Sequence, residues 1–484
     1  MKVSFIVPPD FINAQPAERT AGCTRVVYQM PNTYELTVAA VVEQQIIHEV
    51  SYTDFVYQNK GEADFRRFLN NDKADVYMIW TVNLSIESDI ITINTIHQLV
   101  HNAYIILMGP GPTYFTRKCI TNDKVIIVRG EPEKTVEELL NHLHYGTEWR
   151  NTLGISYLNN GTVINTPSRP LIADLDALPF PARHLIEGQT YHNAKLKKSP
   201  YTTVVTSRNC PYHCIYCVPS SLTFAREIEY RREHGTKPTI GFRSPQNVAA
   251  EIKQLHDQGY KAIGFVDDNF IWNEQRTYEL CQIMKQHQMV WGCQARVDAI
   301  TEPIAKMLGE SGCKYVDLGV ESFDDRILKF IKKGITKQQI YTAIALLKKH
   351  NVPVKLNVLI GSCPLETKET LRHTLREAKK LDVDQVMFNI VSPFPGTEFY
   401  AMCKQNGWLS TSDYVPTDVQ RHSIINYPQL SAKQMEKILF QNNLIYFLSP
   451  RFVLKQIVRF KNIGEFKSAI RALWVKLFGV SNQK

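Results

Sequence analysis

Short apolar runs alternate with helix-spaced amphipathic segments along most of this chain, in two blocks parted by a proline-rich stretch. In the first block, Val3–Val7, His48–Tyr52, Ala74–Trp80, Ala103–Met108 and Lys124–Val128 read as strands, with helical spacing in segments such as Tyr34–Ile47 and Thr135–His144. Strands alternating with helices predict βαβ units and a parallel sheet. Residues 1–150 are therefore expected to form an α/β, doubly wound (flavodoxin/Rossmann-like) domain of about five strands. Turn residues stand at the strand ends, in Pro8-Pro9, Gly109-Pro110-Gly111-Pro112 and Gly130-Glu131-Pro132. A ligand of such a sheet binds in the crevice beyond the carboxyl ends of the strands.

Residues 151–199 carry a hairpin-type turn, Asn159-Asn160-Gly161, then Pro167, Pro170, Pro179 and Pro181, and read as an ordered linker. The alternation resumes at residues 200–410, with strands expected at Thr203–Ser207, Ala262–Asp267, Trp291–Arg296, Tyr315–Gly319, Lys355–Gly361 and Gln385–Ser392. About six β/α units in that length predict a partial β/α barrel, short of the complete eight-unit form. Residues 411–484 read as a helical, basic C-terminal region.

Composition narrows the class. With 44% hydrophobic and 21% charged residues among 484, the chain is neither disordered nor low in complexity. Ten cysteines are too sparse for a disulfide scaffold. No opening segment resembles a signal peptide and no apolar run reaches the roughly 18 residues of a membrane span. A cytoplasmic enzyme is the expectation. Of the net charge of +9, residues 451–484 carry +7, which leaves the preceding chain nearly neutral.

Three of the cysteines share one loop. Cys210, Cys214 and Cys217 are spaced C-x-x-x-C-x-x-C just after the first expected barrel strand. Thiolates are soft ligands that suit iron–sulfur clusters, zinc or copper(I). A structural zinc ion wants four ligands, and no fourth stands nearby in a recognised spacing. A 4Fe–4S cluster on three cysteines would keep one iron open. A zinc loop and three unrelated core cysteines remain the alternatives.

The loop resembles the signature of the radical S-adenosylmethionine (SAM) superfamily, C-x-x-x-C-x-aromatic-C, with Tyr216 at the aromatic position. The resemblance implies that the open iron binds SAM, whose one-electron cleavage gives a 5′-deoxyadenosyl radical that abstracts hydrogen from a substrate. It also implies roles for later residues. Asp267 and Asp268, ending the second barrel strand, correspond to groups that hold the SAM ammonium, and Arg296, ending the third, suits a carboxylate. Glu321 matches a ribose-binding acid, and Asn357 to Gly361 a backbone platform for adenine. Two positions depart from the family pattern: Asn209 stands for a glycine before the first cysteine, and Leu365 for a glycine in the loop after the fifth strand. Asn tolerates the left-handed region nearly as well as glycine, so the first turn is expected to survive.

The front domain resembles the cobalamin-binding domain fused to one branch of this superfamily. The likeness rests on Pro8-Pro9, Ala39–Glu43, Gly109-Pro110-Gly111-Pro112-Thr113, Arg129–Glu133 and Leu175–Pro181. Gly109, Gly111, Gly130 and Glu131 are then expected at the cofactor, the glycines letting a corrin approach the backbone closely. A vestigial domain that keeps its shape without cobalamin is the alternative. The motif D-x-H-x-x-G is missing, so no protein imidazole is expected at the lower face of the corrin. The resemblance implies either methyl transfer through cobalamin to an unactivated carbon, or ring closure and rearrangement without methyl transfer.

Arg451 to Val480 alternates apolar residues with Lys and Arg. It reads as a helix packed on the barrel or as an interfacial helix at the inner face of the membrane, and the latter would favour a lipid-like substrate. The expected partners are a small-molecule or lipid-like substrate and an electron donor such as flavodoxin or ferredoxin. Modification of transfer RNA is the rival enzyme class, though the seven remaining cysteines form no second cluster, and nucleic acid is not expected. Simple electron carriage is the non-enzymatic rival.

Overall fold

A computed structural model describes residues 1–454 apart from Val27, Ala194, Asp382 and Arg451. The basic stretch 451–484 thus lies almost wholly outside the described residues. The chain divides into two compact units: Met1–Pro211 with Val218–Gln294, and Tyr212–Cys217 with the residues from Ala295 onward. Each is described by itself.

In the first unit, strands β1 (Lys2–Val7), β2 (Glu49–Asp54), β3 (Val76–Trp80), β4 (Tyr104–Met108) and β5 (Val125–Val128) fall where the apolar runs predict them. Two further strands, β6 (Ile155–Asn159) and β7 (Thr162–Asn165), complete a sheet of order β2-β1-β3-β4-β5-β6-β7. The first five are parallel, and the β6–β7 hairpin adds antiparallel to β5. Part of the expected linker is therefore sheet: its Asn-Asn-Gly turn closes a hairpin that extends the front domain. Both sheet faces are covered. Ile6, Ile79, Ile105 and Leu107 pack with Phe65 and Leu69 of helix Glu62–Asp72 on one side, and the alternate residues Phe5, Met78 and Ile106 are equally buried. That double burial is why these strands read as continuous apolar runs.

Because β1 lies between β2 and β3, the strand order reverses direction between β1 and β3, and a ligand crevice is expected there. The same unit holds strands β8 (Tyr201–Val204), β9 (Ser207–Arg208), β10 (Gly241–Phe242), β11 (Ala262–Phe265) and β12 (Val290–Ala295). The parallel order is β8-β11-β12, and β9 pairs antiparallel with β10.

Helix Ser221–His234 ties these parts together. Its first nine residues, Ser221 to Glu229, are all buried, the mark of a helix enclosed on every side. Ser221 donates its N–H to the Thr20 carbonyl at 2.9 Å and accepts from Trp80 Nε1 at 3.0 Å. Arg129 Nε donates to Glu229 at 2.9 Å, and Arg232 to the Thr113 carbonyl at 2.8 Å. The helix thus lies across the carboxyl ends of β3, β4 and β5.

In the second unit, β13 (Cys313–Glu321), β14 (Val354–Ile360) and β15 (Gln385–Ile390) run parallel in that order. Between Gly319 and Glu321 the register slips by a bulge, and Glu321 adopts a left-handed φ of 64°. Among the described residues no helix is long and apolar enough to cross a membrane.

Candidate active site

The stem of the cysteine loop is set by residues just upstream. Asn209 takes a φ of 83°, so the turn survives without glycine. Asn209 is also held by its polar atoms: Nδ2 donates to the Thr239 carbonyl at 2.7 Å, Oδ1 accepts from Arg226 at 2.9 Å, and the backbone N–H donates to Thr223 Oγ1 at 3.2 Å. Cys210, Cys214 and Cys217 are half-buried, whereas Cys119, Cys281, Cys293, Cys313, Cys363 and Cys403 are buried. Three accessible thiols on one loop fit a cluster that needs ligands and a free corner. Among the described residues no group of three or more His, Cys, Asp and Glu closes on a single metal ion.

In the first unit Asp267 is buried, and burial pushes its carboxyl up to about 6. It accepts from the backbone N–H and hydroxyl of Thr206 at 3.0 and 2.8 Å, and from the Ser207 hydroxyl. Asp268 accepts from the Ser220 N–H and the Thr223 hydroxyl, both at 2.6 Å.

In the second unit Tyr216, Glu321 and Arg296 are brought together by a lysine that sequence reasoning missed. Lys333 is buried, pairs with Glu321 at 2.8 Å and reaches the Tyr216 hydroxyl at 3.4 Å. Burial opposes its charge, but Glu321 outweighs that penalty and the net effect is to raise its pKa. A Cβ on Gly319 would sit 2.6 Å from Glu321 Oε1 and 2.7 Å from Lys333 Nζ, so any larger residue would make the pair shift. Arg296 lies over the Tyr212 ring at 3.6 Å, pairs with Asp298 and donates to the Lys333 carbonyl at 2.7 Å. Lys332, the neighbour of that lysine, is exposed, on Glu398, and only Lys333 turns inward.

Of the other expected residues, Asn357 lies beside that group, in register with Gly319 of β13. Asn357 is half-buried on β14. Gly361 has a φ of 82°, donates its N–H to Glu366 at 2.7 Å and accepts from the Tyr427 hydroxyl at 2.8 Å. Glu366 also holds Ser362, and the departing Leu365 is exposed.

At the front-domain glycines the nearest atoms are the protein's own. A Cβ on Gly109 would lie 2.6 Å from the Thr81 carbonyl, one on Gly111 3.1 Å from the Val82 carbonyl, and one on Gly130 3.1 Å from Glu229 of the enclosed helix. Glu131 is buried against Arg208 and Arg226. Burial raises its pKa, but the two guanidiniums outweigh that and the net direction is down. These residues seat the helix across β4 and β5.

The crevice at the switch point is different. Thr81 Oγ1 and both side-chain polar atoms of Asn83, just beyond β3, are buried and unpartnered, as is Asn32 Nδ2 after β1. Buried polar groups are nearly always satisfied, and such a cluster of orphans fits a polar ligand. Burial pushes Glu35 up to about 8, although Arg19 and the Tyr52 hydroxyl oppose the shift. The polar set at β1 and β3 fits a ligand that carries amides.

Residues 204–378 match the family model described as the radical SAM superfamily. An uncharacterised methyltransferase of Pyrococcus horikoshii is 32% identical over 98% of this chain and 98% of its own length. The chain belongs to the radical SAM superfamily. It is an enzyme, with a 4Fe–4S cluster and SAM as the superfamily's cofactors. The anaerobic magnesium-protoporphyrin IX monomethyl ester cyclase of Rubrivivax gelatinosus is 24% identical over 78% of this chain and 67% of its own. The fold is shared with a solved cobalamin-dependent SAM radical enzyme, OxsB, at a TM-score of 0.71 and 14% identity, over 99% of this chain and 72% of that one.

Proposed function

We propose that this radical SAM enzyme is a cobalamin-dependent methyltransferase acting on an unactivated carbon of a small, polar or lipid-like substrate. The observation that carries the reading is the end-to-end likeness to a methyltransferase at 32% identity. In this reading Cys210, Cys214 and Cys217 hold the cluster, and Tyr216, Glu321, Lys333 and Arg296 surround SAM. When bound, the cluster and SAM supply a 5′-deoxyadenosyl radical, and cobalamin supplies the methyl group. The chain's own work is positioning. Lys333 offers a fixed cation to the SAM carboxylate, Glu321 an acceptor to the ribose, and Gly319 the space in which both meet. Thr81, Asn83 and Glu35 would satisfy the corrin amides, with Glu35 uncharged near neutral pH and able to donate. An external electron donor completes the cycle.

Ring closure without methyl transfer is the second reading, favoured by the likeness to the protoporphyrin ester cyclase. The test is an anaerobic incubation of reconstituted enzyme with methyl-labelled SAM, with and without hydroxocobalamin, on separate polar and lipid cell extracts. Label should enter one product, and only when cobalamin is present. Release of 5′-deoxyadenosine with no labelled product would overturn methyl transfer in favour of ring closure.

A further inference from the structure

The two acids that end β11 have the sequence position of SAM-binding groups but the bonding of braces. We infer that Asp267 and Asp268 are positioning residues that fix the stems of the cysteine loop, upstream and downstream, and do not bind SAM. This rests on the reading that the three cysteines hold the cluster.

Asp267 is 1% exposed and already accepts three donors, the Thr206 N–H, the Thr206 hydroxyl and the Ser207 hydroxyl. The Ser207 oxygen is held in turn by Trp272 Nε1 at 3.2 Å. These contacts anchor the strand that leads into Cys210. Asp268 holds the other side. One oxygen takes the Ser220 N–H, three residues past Cys217, and the other takes the Thr223 hydroxyl. Thr223 passes the constraint across the stem, because its oxygen accepts the N–H of Asn209, next to Cys210. Both carboxylates are thus engaged by the backbone and hydroxyl donors of the two stems.

A loop that must present three thiolates in one geometry pays a closure entropy unless its ends are fixed beforehand. Residues that orient metal ligands in this way typically change metal affinity by about 10–100-fold when removed. The carboxylate–hydroxyl–amide relay through Asp268, Thr223 and Asn209 is such an orienting device.

The experiment uses the full chain, reconstituted anaerobically, with iron and sulfide content, the rate of iron loss to a chelator, and the electron paramagnetic resonance of the reduced cluster with and without SAM. Asp268→Asn keeps an oxygen for the Ser220 N–H and a polar contact to Thr223 while removing the charge. It should hold its cluster as the wild type does and keep the spectral change on adding SAM. Asp268→Ala and Thr223→Val should lose iron about 10-fold faster or more. Thr223→Val preserves side-chain shape, and its circular dichroism and apo-protein melting serve as the control for folding. If Asp268→Asn keeps its cluster but loses the SAM-induced change, the acid binds SAM and the inference fails. It also fails if Asp268→Ala and Thr223→Val hold iron as tightly as the wild type. A wild-type chain that takes up no iron would overturn the cluster reading itself, and this inference with it.

Discussion

Replacing Glu131 with alanine is expected to destabilise the first unit by about 3–5 kcal/mol, the usual cost of removing one partner from a buried ion network. Arg208 donates to Glu131 and, at 2.6 Å, to Glu133, while Arg226 Nε lies 3.1 Å from Glu131. All four residues are buried. Without Glu131, two guanidiniums would share the single carboxylate of Glu133, and the Ile172 N–H would lose its acceptor at 2.7 Å. The sign of the pH dependence follows from the lowered pKa of Glu131, whose ordinary value is 4.5. Its stabilising contribution is complete above that value and is lost as pH falls through the lower folded one. The gap between wild type and Glu131→Ala should be full at pH 7 and shrink in acid below 4.5. Thermal unfolding of the apo-protein across that range checks both parts. An unchanged melting temperature with weakened cobalamin binding would return Glu131 to the cofactor.

The second large effect is expected in the other unit. Lys333→Met should leave the buried Glu321 carboxylate unpaired, again at about 3–5 kcal/mol. The loss should be recovered in large part by adding Glu321→Gln, because the charge that Lys333 neutralises is then gone. Such a double-mutant cycle isolates the pair from general packing damage. Glu321 already adopts a left-handed φ of 64° beside a bulge, a conformation that costs about 1–3 kcal/mol and persists where the surroundings enforce it. Lys333 and Gly319 are those surroundings. The single variant should also bind SAM more weakly, measured by equilibrium binding to the cluster-loaded protein. Additive stability losses and unchanged SAM affinity would show that the pair is mere packing.

Much of the fold was legible because buried parallel strands announce themselves as apolar runs, and the five front strands and the barrel strands fall on those runs. The hairpin β6–β7 was harder to see. Its half-exposed residues lack a strong alternating pattern, and the prolines that follow it suggested a linker. The cysteine loop stands out by its spacing, with Tyr216 inside the motif, and Arg296 and Glu321 were expected from their positions at strand ends; all three lie around Lys333. Lys333 itself was not expected, since nothing local distinguishes an inward lysine from its exposed neighbour Lys332. The glycine loops show what such a residue can and cannot report. Glycine reports that something approaches the backbone closely, without reporting what, and here the approaching bodies are the Thr81 and Val82 carbonyls and the enclosed helix. Asp267 and Asp268 lay in the expected register, but their partners come from residues 206–223, which spacing alone does not reveal.

Everything functional depends on reductive cleavage of SAM at the three-cysteine loop. The most direct measurement is 5′-deoxyadenosine formed from SAM and dithionite by the anaerobically reconstituted chain, alongside variants in which Cys210, Cys214 and Cys217 are replaced singly by alanine. The wild type should release the nucleoside and contain four irons per chain by stoichiometry of about one cubane, and each variant should release none. Nucleoside release that survives the loss of any one of these thiols, or a wild-type chain that binds iron and sulfide yet leaves SAM intact, would contradict the account.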